Sequence, residues 1–241
     1  FLTSWFDVGF LELERISWDH PASLLEKLIE YEAVHEMRGW DDLKNRLDTD
    51  RRCFAFFHPR MPDEPLIFVQ VALVNGLAKS IDELLEAGSP TSKAEEADTA
   101  IFYSISNAQT GLEGISFGGF LIKRVVDLLR SEFPRLRQFA TLSPMPGFKE
   151  WLEIILENGD IELTAAEIND LQALLKVNEL EEFNCQEVLR SVLNTEQWYR
   201  DNKTASALKQ ILIRFSAQYI ACCKRKDGVR ALDPVANFHL T

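Results

Sequence analysis

The stretch from Ala100 to Ser143 restricts the fold more than any other part of the chain. It opens with AIFYSIS, an aromatic and β-branched run of strand type, and closes with QFATLS, a second short strand. That second strand must stop at Ser143, because Pro144 and Pro146 cannot donate ladder hydrogen bonds. Between the two runs lie the glycine-studded SNAQTGLEGISFGGF and then FLIKRVVDLLRSEF, whose Leu121, Ile122, Val125, Val126, Leu128 and Leu129 fall at helical spacing. A strand, loop, helix and strand in succession favour a parallel crossover. The glycine loop and Ser143 then both end their strands at the carboxyl edge of the sheet, where ligands collect.

Upstream, CFAFFHP and EPLIFVQVAL are short, apolar and bounded by proline-rich turns, and HPRMPDEP reads as the loop joining an antiparallel pair. Residues 1–50 read as helical. SWDHPASLLEKLIEYEAVH offers Ser17 or Asp19 as a start and Pro21 in the first turn, with Leu24, Leu25, Leu28 and Ile29 on one face, and GWDDLKNRL supplies a shorter helix. SIDELLEAG is a further short helix, followed by the polar linker SPTSKAEEADT. From Gly147 onward helical patterns dominate, as in TAAEINDLQALLKV and ASALKQILIRFSAQYIACCK. The fold class is therefore α+β (α/β mixed), a mixed sheet flanked by helices with additional helices C-terminal to it. The domain reading is a helical segment over 1–50 and a catalytic domain over 51–241.

Net charge is −12, and Glu150–Glu187 alone carries eleven acidic residues against Lys176. Nothing forms a continuous basic stripe, so a general nucleic-acid surface is not expected. The acidic stretch reads as the solvated face of several helices, or else as a partner surface. Cys53, Cys185, Cys222 and Cys223 show no CxxC spacing and read as reduced, buried small hydrophobes. His20, His35, His58 and His239 make no HxxxH or HExxH pair, so no metal cofactor is expected. No apolar run approaches the roughly 18 residues of a membrane span. FLTSWFDVGF has neither a basic start nor a small-residue cleavage site, and the chain begins without Met and reads as a fragment or processed form.

Three places could carry chemistry. The glycines at 111, 114, 118 and 119 let the backbone approach a ligand and aim N–H groups at one point ahead of a helix. That is a phosphate-cradle pattern, though it matches neither GxGxxG nor GxxxxGK[ST], and a structural glycine loop serves equally well. Ser143 at its strand end is ordinarily a turn residue before proline, and it is not a G-x-S-x-G elbow. His239, between Phe238 and Leu240 in DPVANFHLT, reads as part of a strand beginning near Val235. A histidine among apolar residues is commonly a core residue. If His239 reached Ser143, the two would form a hydrogen-bonded unit able to move a proton near neutral pH.

AIFYSIS, GLEGISFGGFLIKRVV, LSPMPGF and DPVANFHL, in this order and spacing, closely resemble the malonyl-CoA decarboxylase family. WFDVGFLELERISW and RRCFAFFHP…EPLIFVQVAL resemble it too, so the likeness runs from about Trp5 to the last residue. It implies a fold similar to GCN5-related N-acetyltransferases, with acyl-CoA in a cleft between two splayed strands. It implies that Glu113, Gly114, Ile115, Ser116, Phe117, Gly118 and Gly119 line the CoA pyrophosphate site and that Ser143 and His239 are the catalytic pair. Some members carry glutamate where this chain has Ser116, so that glutamate's role does not carry over. Family members also extend beyond His239 to a tyrosine that has no counterpart here, and the helical oligomerisation domain that usually precedes this one is largely absent. The substrate implied is malonyl-CoA, with no further cofactor, in a full-length homo-oligomer (dimer or tetramer). The location implied is the cytoplasm in a bacterium, or mitochondria or peroxisomes in a eukaryote. The rival readings are a GCN5-like acyl-CoA acyltransferase and a non-catalytic acyl-CoA-binding module.

Overall fold

The computed structural model describes residues 7–86, 93–109, 111, 117–159, 161–175 and 184–240. The chain forms two compact units, Phe1–Pro144 and Met145–Thr241. The boundary read at residue 50 lies inside the first of them.

The first unit is built on a five-stranded sheet among the described residues, with its strands in chain order. They are β1 (Glu12–Ile16), β2 (Arg51–His58), β3 (Met61–Val74), β4 (Thr99–Asn107) and β5 (Gln138–Thr141). Only Pro59 and Arg60 separate β2 from β3, and so short a turn permits antiparallel pairing alone. β5 pairs parallel to β4, across the helix α4 (Gly118–Glu132) that the crossover pattern requires. Both faces of the sheet are covered, which is why β2 and most of β3 are buried without alternation. Phe54, Phe56, Val69, Val71 and Phe102 pack on Leu121, Val125 and Leu129 of α4, spaced four apart on one helical face. On the other face Cys53, Ala55, Phe57 and Phe68 meet Leu24, Leu25 and Leu28 of α1 (Ala22–Tyr31) and Leu43 of α2 (Trp40–Arg46). Each fully buried Phe or Leu contributes about 1.5–3 kcal/mol, far more than an exposed ion pair. A short helix, α3 (Ile81–Leu85), is capped by the Ser80 hydroxyl, which accepts from the Asp82 N–H.

Two local readings are corrected here. Residues 1–50 are not helical throughout, because β1 pairs antiparallel with β2 from Glu12↔Phe57 to Ile16↔Cys53. Its sequence, ELERI, is rich in helix formers, and pairing on a sheet edge overrides that propensity. HPRMPDEP is also largely strand rather than loop, since β3 starts at Met61. Pro62 and Pro65 are accommodated where the β2–β3 register is irregular, around Phe57 and His58.

A β-bulge marks the middle of β4. Gln70 pairs with Ser104 but Val71 pairs with Phe102, which leaves Tyr103 as the extra residue. Beside it lies a buried polar cluster centred on Glu32. Its Oε1 accepts from the N–H groups of Val34 and His35 at 2.9 Å and from the Ser104 hydroxyl at 2.6 Å. Its Oε2 accepts from the Gln70 side-chain amide, whose own oxygen takes the Tyr103 hydroxyl at 3.0 Å. Ser106 Oγ accepts from the Ala33 N–H at 3.2 Å, and His35 Nε2 donates to the Tyr103 carbonyl at 3.1 Å. The segment after α1 is thereby pinned to the bulge.

The second unit is helical: α5 (Phe148–Asn158), α6 (Ala165–Leu175), α7 (Cys185–Leu193), α8 (Asn202–Cys222) and α9 (Pro234–Leu240). Leu152, Leu156, Leu171, Leu189, Leu208, Ile211 and Phe215 form its core. Described members of the acidic stretch are mostly exposed, as a solvated face requires, except Glu167. That carboxylate is buried against Arg214, which donates at 2.8 and 2.7 Å and holds it below the usual glutamate range. Of the cysteines only Cys53 is buried, where burial pushes its thiol up; Cys222, read as buried, is exposed at the end of α8.

The Glu32 cluster yields a direct test. Glu32→Ala strands several buried donors at once and should lower unfolding free energy by about 2–4 kcal/mol. Urea denaturation followed by tryptophan fluorescence measures it, and a loss below about 0.5 kcal/mol would contradict the assignment.

Candidate active site

In the first unit, the pairing of β4 with β5 lasts only from Thr99↔Gln138 to Phe102↔Thr141. One further bond, from the Leu142 N–H to the Phe102 carbonyl at 2.9 Å, closes it. Beyond that point β4 continues to Asn107, paired with β3 alone among the described residues. The bulge at Tyr103 begins at the next residue of β4, so the end of the ladder and the irregularity of β4 coincide. Ser143, half-buried, follows Leu142 just beyond that end.

The same edge of the unit holds the start of α4. Phe117 is buried in the core, so its side chain is committed to packing and only its backbone is available to a ligand. Gly118 is buried and Gly119 half-buried. A Cβ at Gly119 would meet nothing within 4 Å, so no neighbouring atom demands glycine there. Glu113, Gly114, Ile115 and Ser116, the rest of the expected cradle, lie outside the described residues.

His239 belongs to the second unit, and its setting differs from the expectation. It sits in the last turn of a helix, α9, and not in a strand. The reason is legible in retrospect: Asp233-Pro234 is a helix start, with Asp as N-cap and Pro at the first helical position. The Asp233 Oδ1 accepts from the N–H groups of Val235 and Ala236, both at 2.9 Å. Its Oδ2 accepts from the Tyr219 hydroxyl at 3.2 Å and from the Gly147 N–H at 3.3 Å. Burial and the Asp233 carboxylate push the Tyr219 phenol up to about 12, so it stays a donor. The His239 ring is half-buried and meets the Phe238 ring edge-on at 4.9 Å. Burial lowers its pKa, which leaves a neutral imidazole with one donor and one acceptor nitrogen at neutral pH.

Phe117, Gly118, Gly119 and Ser143 thus fall in the first unit and His239 in the second. The polar groups that sequence reasoning missed are Glu32, Gln70 and Ser104 beside the bulge, and Asp233, Tyr219 and Gly147 at the start of α9. Among the described residues, no group of three or more His, Cys, Asp or Glu could hold a metal ion. None of the described helices is long and apolar enough to cross a membrane.

Residues 9–241 match the family described as Malonyl-CoA decarboxylase C-terminal domain. The chain is similar to the mitochondrial malonyl-CoA decarboxylase of Anser anser anser, 41% identical over 241 residues, covering 99% of this chain and 47% of that protein. To that of Rattus norvegicus it is 40% identical over 242 residues, covering 99% and 49%. Among solved structures, malonyl-CoA decarboxylase from Agrobacterium vitis superposes with TM-score 0.83 at 44% identity, over 99% of this chain and 54% of that one. The enzyme from Rhodopseudomonas palustris gives TM-score 0.80 at 46% identity, over 99% and 51%. The chain spans about half the length of these relatives.

The environment of His239 sets its titration. An NMR titration of its ring should give a midpoint below the ordinary value of 6.5. The unfolded chain takes up that proton more readily, so the stability it contributes is present above 6.5 and lost as pH falls through the lowered midpoint. A midpoint at or above 6.5 would contradict burial as the governing influence.

Proposed function

Because the chain belongs to the malonyl-CoA decarboxylase family, we propose that it converts malonyl-CoA to acetyl-CoA and CO₂, with Ser143 and His239 as the reactive pair. The match over residues 9–241 carries the reading. The described residues are compatible with it: the β4–β5 ladder ends immediately before Ser143, and an acyl-CoA arm is expected to lie beside these two strands in this family. The start of α4 offers unsatisfied helix N–H groups, which favour the charge of a pyrophosphate.

The chemistry follows from the residue types. When the carboxylate of the malonyl group leaves as CO₂, the electrons of the broken carbon–carbon bond move onto the thioester as an enolate. A preorganised hydrogen-bond donor at that developing oxyanion is worth about 2.7–4 kcal/mol of barrier. The enolate carbon then takes one proton, giving the acetyl thioester, and solvent replaces that proton. Ser143 can donate to an oxyanion or relay a proton. His239, neutral at neutral pH, can accept a proton at one nitrogen while it donates from the other. The pair jointly orients the malonyl group and protonates the product, and the CoA handle supplies the positioning. The substrate itself carries the thioester that acts as electron sink.

A bacterial cytoplasmic setting is the finer reading of location. A homo-oligomer is the corresponding expectation for the full-length protein.

The reading is tested by incubating the purified full chain with malonyl-CoA and following CO₂ and acetyl-CoA together. Ser143→Ala and His239→Asn should each lower kcat by about 100-fold or more, with folding intact by circular dichroism. Turnover equal to the parent in both variants would remove these residues from the chemistry. Acyl transfer to an acceptor without CO₂ would instead favour the acyltransferase reading.

A further inference from the structure

Helix α9 is seven residues long, too short to hold its own direction in water. Its orientation, and with it that of His239 in its last turn, depends on tertiary contacts, and the hydrogen bonds at its first turn are among them. Those bonds run to Asp233, 1% exposed, whose carboxylate accepts from four donors in all. Two are the helix's own N–H groups; the others reach outside it, to Tyr219 of α8 and to Gly147 at the head of α5. Gly147 comes four residues after Ser143, with Pro144 and Pro146 between them.

The glycine at 147 has a particular reason to be there. Its backbone lies in the ordinary right-handed helical region, with φ −88° and ψ −5°, which any residue can adopt. What forbids a side chain is space, because a Cβ at this position would overlap the Tyr219 hydroxyl. The next nearest atoms are at 3.5 Å (Tyr219 Cζ) and 3.7 Å (Asp233 Oδ2), which are ordinary contacts. Gly147, Tyr219 and Asp233 therefore fit only as a set, with one hydroxyl as the tight point.

We infer that Asp233 is a positioning residue: through one buried carboxylate it locks the helix bearing His239 to the chain segment that follows Ser143, with Tyr219 and Gly147 as its partners. This rests on the decarboxylase reading above, and it assigns these three residues no contact with substrate. Their effect is on the placement of His239, where an error of about 1 Å can cost on the order of 100-fold in rate.

Two sets of variants test it. Asp233→Asn keeps an N-cap oxygen for α9 but turns an amide N–H₂ toward the Gly147 N–H, so the helix persists while its outside anchor is broken. The expected result is a kcat lowered by about tenfold or more, a KM for malonyl-CoA within about twofold of the parent, and a displaced His239 ring signal by NMR. Gly147→Ala should show the same loss, and Gly147→Ala/Tyr219→Phe should recover part of it, to the level of Tyr219→Phe alone, because removing the hydroxyl removes the overlap together with one of the two outside bonds to Asp233. Parental kcat and ring signal in Asp233→Asn would overturn the inference, and so would a Gly147→Ala defect that Tyr219→Phe does not relieve. Should Gly147→Ala fail to fold, recovery of folding and ring signal in the double variant is the supporting result, and its absence the contrary one. A parent that releases no CO₂ would sink the decarboxylase reading alone. The His239 signal, displaced in Asp233→Asn and partly restored in the double variant, still decides the lock.

Discussion

A buried carboxyl group accepting four hydrogen bonds holds together the part of the sheet on which the site is built. Glu32 takes the N–H groups of Val34 and His35, the Ser104 hydroxyl and the Gln70 amide, and so ties the segment after α1 to β3 and β4. The bulge at Tyr103 sits in the middle of this cluster, and its displaced carbonyl is taken up by His35. A bulge in a buried strand leaves polar groups outside the ladder, and each would cost about 1–3 kcal/mol without a partner. Supplying those partners lets β4 carry the bulge immediately after Phe102, where its ladder with β5 ends just ahead of Ser143. The second unit uses the same device in miniature, with Asp233 as the fully engaged carboxylate and a short helix as the element it directs. In both cases a buried carboxylate accepting four hydrogen bonds sets a direction that apolar packing alone would leave loose.

The parts of the fold that could be read from sequence share a property: their signal is local. β2, β3, β4, β5 and α4 announce themselves by apolar runs and helical spacing, and the parallel pairing of β4 with β5 follows from the connection between them. β1 could not be read this way. ELERI is a plausible helical fragment, and it becomes a strand only because β2 offers it an edge thirty-five or more residues later in the chain. The turn before β3 is shorter than the three prolines and two acidic residues of HPRMPDEP suggest, since irregular pairing near Phe57 and His58 tolerates them.

The candidate site is proposed from residues that sequence singles out, while the polar groups that surround them could not be read there. Ser143 and His239 stand out by residue type and by motif, whereas Glu32, Gln70, Asp233 and Tyr219 matter through partners far away in the chain. His239 is the instructive case. The alternation of VANFHL suggests a strand, but the Asp-Pro pair ahead of it is a start signal for a helix, and the capping bonds decide the matter. The two residues also have opposite surroundings to explain: a serine placed by a strand that must end, and a histidine placed by a helix that needs an anchor.

The chemistry proposed for this arrangement makes one distinctive demand: an enolate must form and take its proton at carbon. Turnover of malonyl-CoA in deuterium oxide, with mass analysis of the product, examines that demand directly. CO₂ and acetyl-CoA are expected in equal amounts, with solvent deuterium in the acetyl methyl group. Loss of malonyl-CoA without CO₂, or with its acyl group carried intact to another acceptor, would contradict it.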